Sequence, residues 1–381
     1  MKNMINRRDW FRSTLSMTAG LTLGGSLTQQ LLASPMSKAE EFVWGTNKAV
    51  NKIRLNANEN PYGPSEKARQ AVNQILSEAN RYPFQATEDL RIVLAAKEGV
   101  SPDYIHLGAG SGDILCQSAV AFGLEGGSVV SAYPTFPLLM NFAEVFNARW
   151  EKVNLNDKLE HDYEALASAV KSDTKLVFIC NPNNPSGTWV DPAKVKAFAE
   201  EVSKKVTVYS DEAYLEFMEP GHQNGMLDLV KKDANVVVSR TFSKIYGLAG
   251  LRIGYIVARP DLVRKIAKYA GDIPINQTAL AAAHASLGDM GFMKMVRDKN
   301  AAARKVLSDY LDQNRISYGK SHINLLFFPA PKDGKMILTK MEEKGFLMRI
   351  WDYQQREWCR VSIGTLDEMK LFVKAFGEVV S

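Results

Sequence analysis

Residues 175–210 contain two apolar runs, KLVFIC at 175–180 and VTVYS at 206–210. Between them lies the segment PAKVKAFAEEVSK at 192–204. Both runs are short and rich in β-branched and aromatic residues, which is typical of strands buried on both faces of a sheet. The segment between them carries apolar residues at helical spacing. A helix that joins two buried strands favours a parallel pair.

The same alternation continues on both sides of this unit. Candidate strands lie at 104–107, 128–131, 175–180, 206–210, 236–240 and 252–257, with helical patterns between most of them. This order predicts an α/β fold with a mostly parallel sheet between helices. After residue 280 the pattern predicts a smaller α+β domain. Its candidate elements are a long helix at 277–313 broken near Gly288, short strands at 325–328, 346–350 and 359–362, and a last helix at 366–379.

Length and composition exclude several classes of protein. The chain has 381 residues, of which 46% are hydrophobic and 23% charged, so it holds enough core for two domains. The net charge of +5 includes no block of Lys and Arg, which disfavours a nucleic-acid partner. The three cysteines, Cys116, Cys180 and Cys359, are far apart. Their number and spacing exclude a disulfide framework and leave no pair at metal-ligand spacing, so no metal site is expected.

The N-terminus has the features of a targeting segment. Its first 33 residues carry four basic residues and one acidic residue, and without them the net charge falls from +5 to +2. Residues 6–12 read NRRDWFR, and no further charge occurs before Lys38. Paired arginines before a weakly apolar segment resemble a twin-arginine export signal, and a basic disordered tail is the alternative. With cleavage after Ala33 or Ala39, residues 1–39 form a signal and leader. The twin-arginine machinery would then export the protein, to the periplasm for example, and a cytoplasmic location is the alternative.

The richest set of polar residues is SRTFSKIYGLAGLRIG at 239–254. Lys244 follows a buried strand, with hydroxyls at Thr241 and Ser243 and a second cation at Arg252. Burial beside another cation lowers the pKa of a lysine, and such a lysine can act as a nucleophile toward an aldehyde. A lysine that only extends along the surface is the alternative, but it explains neither the hydroxyls nor the glycines.

This set resembles the fold-type I pyridoxal-phosphate enzymes, and among them the class I/II aminotransferases. The resemblance implies a large domain with a seven-stranded sheet and pyridoxal 5'-phosphate as the cofactor. It also implies that Lys244 binds the cofactor's aldehyde, while Thr241, Ser243 and Arg252 hold its phosphate.

A second phosphate-binding element is indicated by GAGSGD at 108–113, which follows a strand and opens a helical pattern. Free amides at a helix start form an anion site, and Gly110, Ser111 and Gly112 are the candidates. Such glycines also suggest a nicotinamide-dinucleotide fold, which needs an acidic residue at the end of the next strand. Here that strand ends in AYP at 132–134, which disfavours the dinucleotide.

A pyridine ring serves as an electron sink when a carboxylate lies beside its nitrogen. Asp211 follows the apolar strand at 206–210 and is the candidate carboxylate. In the family the tyrosine three residues later, here Tyr214, bonds the phenolic oxygen of the cofactor.

The run NPNNPSGT at 181–188 follows another strand. It matches the family's Asn-Pro-X-Asn-Pro-Thr/Ser-Gly motif, in which the asparagine before the second proline, here Asn184, contacts the ring oxygen. Phe136 stands where the family stacks an aromatic ring on the cofactor, and core packing is the alternative.

The substrate's anion is expected to bind in the small domain. Arg360 lies inside an apolar strand, where a guanidinium is costly unless it is paired with a carboxylate or phosphate. In the family the arginine at this position binds the substrate's acidic group. Arg349, on the preceding strand, is a second candidate, although a surface ion pair explains it about as well.

Three segments, LNANENPYG at 55–63, NRYP at 80–83 and RVSIGT at 360–365, are similar to the histidinol-phosphate aminotransferases. This resemblance implies that Tyr62 lines the substrate pocket. It also implies a homodimer in which Tyr82 reaches the partner's cofactor phosphate.

The resemblance also divides the chain after the leader. Residues 40–80 are expected to form an N-terminal arm and part of the small domain, residues 81–275 the large cofactor-binding domain, and residues 276–381 the small domain. Two features depart from the family. GSGD at 110–113 stands where the family has Gly-Ser-Asp-Glu, and an export signal is unexpected for a biosynthetic enzyme that uses cytoplasmic intermediates.

The resemblance implies a ping-pong transfer of an amino group between an amino acid or amino-alcohol phosphate and a 2-oxo acid. Lys244, Asp211 and Tyr214 are the expected catalytic residues. A pyridoxal-phosphate decarboxylase or lyase on the same fold is the nearer alternative. A cofactor-free exported binding protein is the more distant one, and the joint presence of Lys244, Asp211, Asn184 and Arg252 argues against it.

Overall fold

The structure is a computed structural model that describes residues 52–223, 225–271 and 275–381. The predicted export signal and leader at 1–39, with both cleavage sites, lie outside the described residues. The strands in chain order are β1 (Ile53–Arg54), β2 (Ile105–Gly108), β3 (Ser128–Tyr133), β4 (Arg149–Asn154), β5 (Thr174–Cys180), β6 (Thr207–Asp211), β7 (Val236–Thr241), β8 (Gly254–Ala258), β9 (Leu325–Pro329), β10 (Phe346–Leu347), β11 (Arg349–Tyr353) and β12 (Arg356–Ser362).

The helices surround these strands. In chain order they are α1 (Glu66–Ile75), α2 (Phe84–Glu98), α3 (Ser111–Gly123), α4 (Leu138–Val145), α5 (Tyr163–Ser168), α6 (Pro192–Val202), α7 (Leu227–Val230), α8 (Pro260–Ala267), α9 (Gln277–Leu287), α10 (Met290–Gln313), α11 (Gly334–Glu343) and α12 (Leu366–Val380). Within the described part of the chain, none of them combines the length and hydrophobicity that a membrane crossing requires.

The central sheet has seven strands in the order β2-β8-β7-β6-β5-β3-β4. Six of them run in one direction, and only β8 is antiparallel to its neighbours β2 and β7. The predicted α/β fold with a mostly parallel sheet is therefore confirmed. The central strands β5, β6 and β7 are buried along almost their whole length, which explains why they read as continuous apolar runs.

Helices cover both faces of this sheet. Buried side chains of α2, α6 and α9 form one apolar cluster with the strands, and those of α3, α4 and α8 form a second cluster. Since neighbouring residues of a strand point to opposite faces, Val177 of β5 belongs to the first cluster and Phe178 to the second. This two-sided packing gives the sheet a rigid frame.

The C-terminal segment builds a separate apolar cluster. Helices α10, α11 and α12 pack against the antiparallel sheet β11-β12-β9, and β1 pairs in parallel with β10. The predicted helix break is confirmed, because α9 ends at Leu287 and α10 begins at Met290. The strand predicted at 346–350 is two strands in two sheets, divided at Met348. The domain boundaries given above stay a prediction.

Parallel strands bring their carboxyl ends to one edge of the sheet, and that edge is where ligands bind in open α/β folds. Here β2, β3, β5, β6 and β7 all end at this edge. The segments that follow them carry most of the predicted site residues, so the fold explains why positions far apart in sequence converge.

Candidate active site

A cavity of about 350 Å³ opens at this edge of the sheet. Its lining includes twelve of the fifteen predicted site residues, namely Ser111, Gly112, Phe136, Asn184, Asp211, Tyr214, Thr241, Ser243, Lys244, Arg252, Arg349 and Arg360. The three predicted residues outside this lining are Gly110, Tyr62 and Tyr82. The structure therefore brings together residues that lie on seven strands or in the segments that follow them.

Lys244 lies in the loop that follows β7, and its Nζ atom is 3.4 Å from the carbonyl oxygens of Ala57 and Asn58. Burial and the nearby positive charge of Arg360 lower its pKa to about 8, although Asp211 acts in the opposite direction. A lysine with this pKa is partly neutral near physiological pH, as nucleophilic or base catalysis requires.

Asp211 is the last residue of β6 and is 2% exposed. Its Oδ1 atom accepts hydrogen bonds from the Ser239 hydroxyl at 3.0 Å and the Ala213 amide at 3.2 Å. Burial raises its pKa to about 6 even so. A cationic ligand atom beside this carboxylate would favour the ionised form, so Asp211 suits a protonated ring nitrogen.

The amino end of α3 forms an anion site. Ser111 and Gly112 are its first residues, and Gly110 before them has no side chain to cap their amides, which have no partner inside the helix. Gly110 has a φ of +84°, and a Cβ atom there would lie 2.3 Å from the Arg252 guanidinium. A Cβ on Gly254 would lie 2.4 Å from the Ser111 nitrogen. Both glycines therefore let amides and guanidinium approach one point.

Arg252 adds a positive charge to this anion site, since its guanidinium lies beside Gly110. It has a φ of +60°, and its Nη1 atom donates to the Ala249 carbonyl at 2.9 Å and the Ser243 hydroxyl at 3.4 Å. The Ser243 amide in turn donates to the hydroxyl of Thr241 at 3.1 Å. No described carboxylate pairs with this guanidinium, so its charge is available to an anion.

The loop at 181–188 is tied to the loop that carries Phe136. The Asn183 side chain accepts from the Thr135 hydroxyl at 2.8 Å and donates to the Pro134 carbonyl at 3.1 Å. These bonds fix the backbone between Asn183 and Asn184. As a result Asn184 and Phe136 line the same cavity.

Arg360 lies on β12 and is 4% exposed. It donates to the Asn184 side chain at 3.2 Å and to the Asn56 carbonyl, while its Nε atom is buried without a partner among the described residues. Burial lowers its pKa to about 10. Arg349 faces Arg360 in the strand register and is exposed, so the two arginines mark one end of the cavity.

Tyr62 and Tyr82 are placed differently from the other predicted residues. Tyr62 lies beside Lys299, whose Nζ atom is 4.9 Å from the ring centroid. Tyr82 is 77% exposed and lies against Phe84, with 5.9 Å between the ring centroids. Neither residue reaches the cavity of its own chain.

These features fit pyridoxal phosphate. The α3 amides and Arg252 suit its phosphate, Asp211 suits its ring nitrogen, and Lys244 suits its aldehyde. The unpartnered Nε atom of Arg360 leaves a buried donor for a further anion. The cavity is thus shaped for an anionic aromatic aldehyde and a second anionic molecule.

Comparisons with known proteins agree with this geometry. A model of the family described as aminotransferase class I and II matches residues 50–376. The chain belongs to this family. This aminotransferase is 36% identical over 355 residues to a histidinol-phosphate aminotransferase of Cupriavidus pinatubonensis. The alignment covers 92% of this chain and 93% of that protein. Family membership makes it a transaminase that depends on pyridoxal phosphate, as the sequence predicted.

Solved structures also resemble the aminotransferase. A putative histidinol-phosphate aminotransferase from Erwinia carotovora atroseptica superimposes with a TM-score of 0.82 and 30% identity, over 87% of this chain and 96% of that one. The histidinol-phosphate aminotransferase from Sinorhizobium meliloti was solved in complex with pyridoxal-5'-phosphate. It superimposes with a TM-score of 0.80 and 29% identity, over 86% of this chain and 90% of that one.

The aminotransferase's cavity also contains residues that the sequence analysis did not single out. They are Ala57, Asn58, Glu59, Leu138, Ala213 and Ala249. The first three lie in the run at 55–63, where only Tyr62 was proposed as a site residue. The position of Asn58 in this family-like run could have marked it as a site residue. Its hydrogen-bond partners, however, belong to other elements and could not be deduced from spacing.

Proposed function

We propose that this aminotransferase moves an amino group between an amino acid or amino-alcohol phosphate and a 2-oxo acid in two half-reactions. The observation that carries the proposal is the composition of one cavity. It holds a buried lysine with a pKa lowered to about 8, a buried carboxylate, and three arginines without a carboxylate partner among the described residues. Such a site suits two anionic ligands and a proton transfer between them.

The cofactor's phosphate is assigned to one group of residues: Gly110, Ser111, Gly112, Thr241, Ser243 and Arg252. Asp211 is assigned to the ring nitrogen, Asn184 and Tyr214 to the ring oxygen, and Phe136 to the ring face. Pyridoxal phosphate supplies an aldehyde that accepts the amino group and a ring that accepts electrons from the substrate.

Lys244 acts on both ligands. With pyridoxal phosphate bound, its Nζ atom would hold the cofactor's aldehyde carbon until the amine of the donor takes its place and frees Nζ. The released Nζ atom takes the proton from the substrate's α-carbon, since its lowered pKa leaves it partly neutral. Asp211 stays ionised beside the ring nitrogen. The 2-oxo acid accepts the amino group by the same steps in reverse.

Arg360 and Arg349 are assigned to the substrate's anionic group. Their guanidinium groups can hold either a carboxylate or a phosphate. Several relatives carry the name histidinol-phosphate aminotransferase, which supports an amino-alcohol phosphate as one substrate. Tyr62 is the remaining residue proposed to lie near the substrate.

A homodimer and export belong to the same proposal. Tyr82 is exposed beside Phe84, so its hydroxyl is free to reach the cofactor phosphate of a second copy. The paired arginines at the N-terminus support recognition by the twin-arginine machinery, which carries folded proteins with their cofactor already bound. We place the mature enzyme in the periplasm or outside the cell.

The Lys244→Ala variant tests the assigned chemistry. We expect loss of the visible absorbance band of the cofactor-bound lysine and a decrease in transamination of about 10⁴-fold, because the nucleophile and the base are removed together. The control is Lys196→Ala, which removes a lysine on α6 in a surface ion pair with Asp228. Survival of both the band and the activity would refute the assignment.

A panel of amino donors with 2-oxo acids tests the substrate class. Histidinol phosphate and aromatic amino acids should be included, and we expect amino groups to be conserved between donor and acceptor. Release of ammonia or carbon dioxide without a 2-oxo acid would instead identify a lyase or decarboxylase.

A further inference from the structure

The Tyr214 hydroxyl borders the cavity and has one hydrogen-bond partner among the described residues. That partner is Asn58, whose Nδ2 atom lies 2.9 Å from the hydroxyl oxygen. Tyr214 is 3% exposed and Asn58 is 1% exposed. Two buried polar groups thus meet at the place where the cofactor's ring oxygen was assigned.

The direction of this hydrogen bond follows from the atom in contact, because the Asn58 Nδ2 atom can only donate, and the neighbouring bonds are consistent with it. The Asn58 backbone amide can only donate, and it donates to the Ser362 hydroxyl oxygen at 2.8 Å. The Ser362 hydroxyl donates its own hydrogen to the Asn58 side-chain oxygen at 2.7 Å. The Asn58 side chain therefore presents its nitrogen to Tyr214, and the Tyr214 oxygen accepts.

This direction leaves the Tyr214 hydrogen for the cavity. Burial raises the pKa of the Tyr214 phenol, so the hydroxyl keeps its proton. No described residue accepts that hydrogen, while Asn184, Asp211 and Lys244 line the same cavity. A ligand oxygen is the remaining acceptor that the geometry offers.

The backbone also favours asparagine at this position. Asn58 has a φ of +53°, a left-handed conformation that Asn, Asp and Gly adopt more readily than other residues. Its carbonyl accepts from the Asn324 side chain at 3.0 Å and from Lys244 at 3.4 Å. Asn58 is thus held from several sides.

We propose that Asn58 is a positioning residue that makes Tyr214 a hydrogen-bond donor toward the bound cofactor, with Ser362 setting the orientation of the Asn58 amide. The inference rests on the proposed contact between Tyr214 and the cofactor's ring oxygen. Ser362 lies two residues after Arg360 on β12, so one strand supplies the substrate's anion site and sets the direction of the cofactor's hydrogen bond.

The test is a double-mutant cycle on the holoenzyme, with the pH midpoint of its visible absorbance band as the readout. A hydrogen bond donated to the ring oxygen stabilises the more negative form of the site, so its loss raises the midpoint. Asn58→Asp keeps the size and tolerates the positive φ, but its carboxylate accepts the Tyr214 hydrogen. We expect N58D to raise the midpoint by about one pH unit, which is tenfold in proton affinity.

The Tyr214→Phe background separates this effect from charge. There N58D should shift the midpoint only by the smaller effect of its added charge, because the hydroxyl that it redirects is missing. The matched control is Asn60→Asp, which adds the same charge two residues away at a side chain that bonds Ile245 and Tyr62 instead. Its shift should be smaller and equal in both backgrounds. If N58D does not fold, Asn58→Gly replaces it in the same cycle and should shift the midpoint in the same direction.

The outcomes are distinct. A Tyr214→Phe midpoint equal to that of the wild type would refute the proposed contact of Tyr214 with the cofactor. A shifted Tyr214→Phe midpoint, with Asn58 variants that change nothing or change both backgrounds equally, would overturn only the role of Asn58. A shift that is larger in the Tyr214 background than in the Tyr214→Phe background supports it.

Discussion

Two buried arginines on neighbouring sheets have opposite surroundings. Arg240 on β7 is 8% exposed and donates to both oxygens of Glu98, at 3.1 and 3.0 Å, and to Glu212 at 3.0 Å. Arg360 on β12 is 4% exposed and contacts only uncharged oxygens, with its Nε atom unpartnered among the described residues.

Their electrostatics differ in the same sense. Burial alone would lower the pKa of Arg240, but Glu212 and Glu98 raise it well above its usual value. Burial lowers the pKa of Arg360 to about 10. A buried charge that the protein itself neutralises is part of the scaffold, whereas a buried charge without a counterion indicates a site that an anionic ligand completes.

Arg240→Met should produce the largest effect on stability. It leaves Glu212 buried without an ion-pair partner and leaves Glu98 with Lys97 alone. The loss of the buried guanidinium costs about 3–5 kcal/mol of unfolding free energy. Urea unfolding of the holoenzyme measures the loss, with Arg360→Met as the comparison at an equally buried arginine. If both variants lose the same unfolding free energy, the proposed difference between Arg240 and Arg360 is wrong.

Arg360→Met should affect substrate use more than folding. We expect kcat/KM for an anionic substrate to fall by about 100-fold, or about 2.7 kcal/mol, because a buried, desolvated guanidinium contact is lost. The unfolding free energy should change by less than about 1 kcal/mol, since no carboxylate is left unpaired. Arg360→Lys restores the charge without the planar fork and should recover part of kcat/KM. A variant with unchanged kcat/KM would show that the substrate's anion binds elsewhere.

The two arginines also show which features of the site can be predicted from the sequence and which cannot. Both appear as an arginine inside an apolar strand, yet only Arg360 was proposed as a site residue. The distinction depends on Glu98, which is 142 residues from Arg240, and such a pairing leaves no trace in local spacing. Asn58 escaped notice for the same reason, because Ser362 is 304 residues away.

Local patterns carried most of the fold. The alternation of apolar runs and helical segments predicted the parallel sheet, because a buried strand can be recognised from the apolar residues of the strand itself. The division at Met348 was missed, because a two-strand pairing between β1 and β10 depends on a segment almost 300 residues earlier. Most of the predicted residues that line the cavity could be found because they directly follow strands, whereas Tyr62, proposed from a family motif, lies outside that lining.

Asp211 extends the comparison to a buried anion, since none of the ion pairs among the described residues includes it. Its pKa of about 6 in the ligand-free protein lies above the ordinary 3.8, so between these values the folded state binds more protons than the unfolded state. The unfolding free energy of the ligand-free protein should then fall as the pH rises through this window, by about 3 kcal/mol in total from below pH 3.8 to above pH 6, and stay low at higher pH.

Asp211→Asn removes the ionisation while its side-chain oxygen can still accept from Ser239 and Ala213. In urea unfolding of the ligand-free protein, we expect the variant to lose the pH dependence of this window and to be about 3 kcal/mol more stable than the wild type at pH 7. The same variant should bind the cofactor more weakly, because the ring nitrogen loses its carboxylate. A less stable variant at pH 7 would mean that the protein already compensates the Asp211 charge, as it does for Arg240. If the variant is more stable but binds the cofactor more weakly, Asp211 resembles Arg360. Both are then buried charges that lower the stability of the ligand-free protein and are stabilised by a bound ligand.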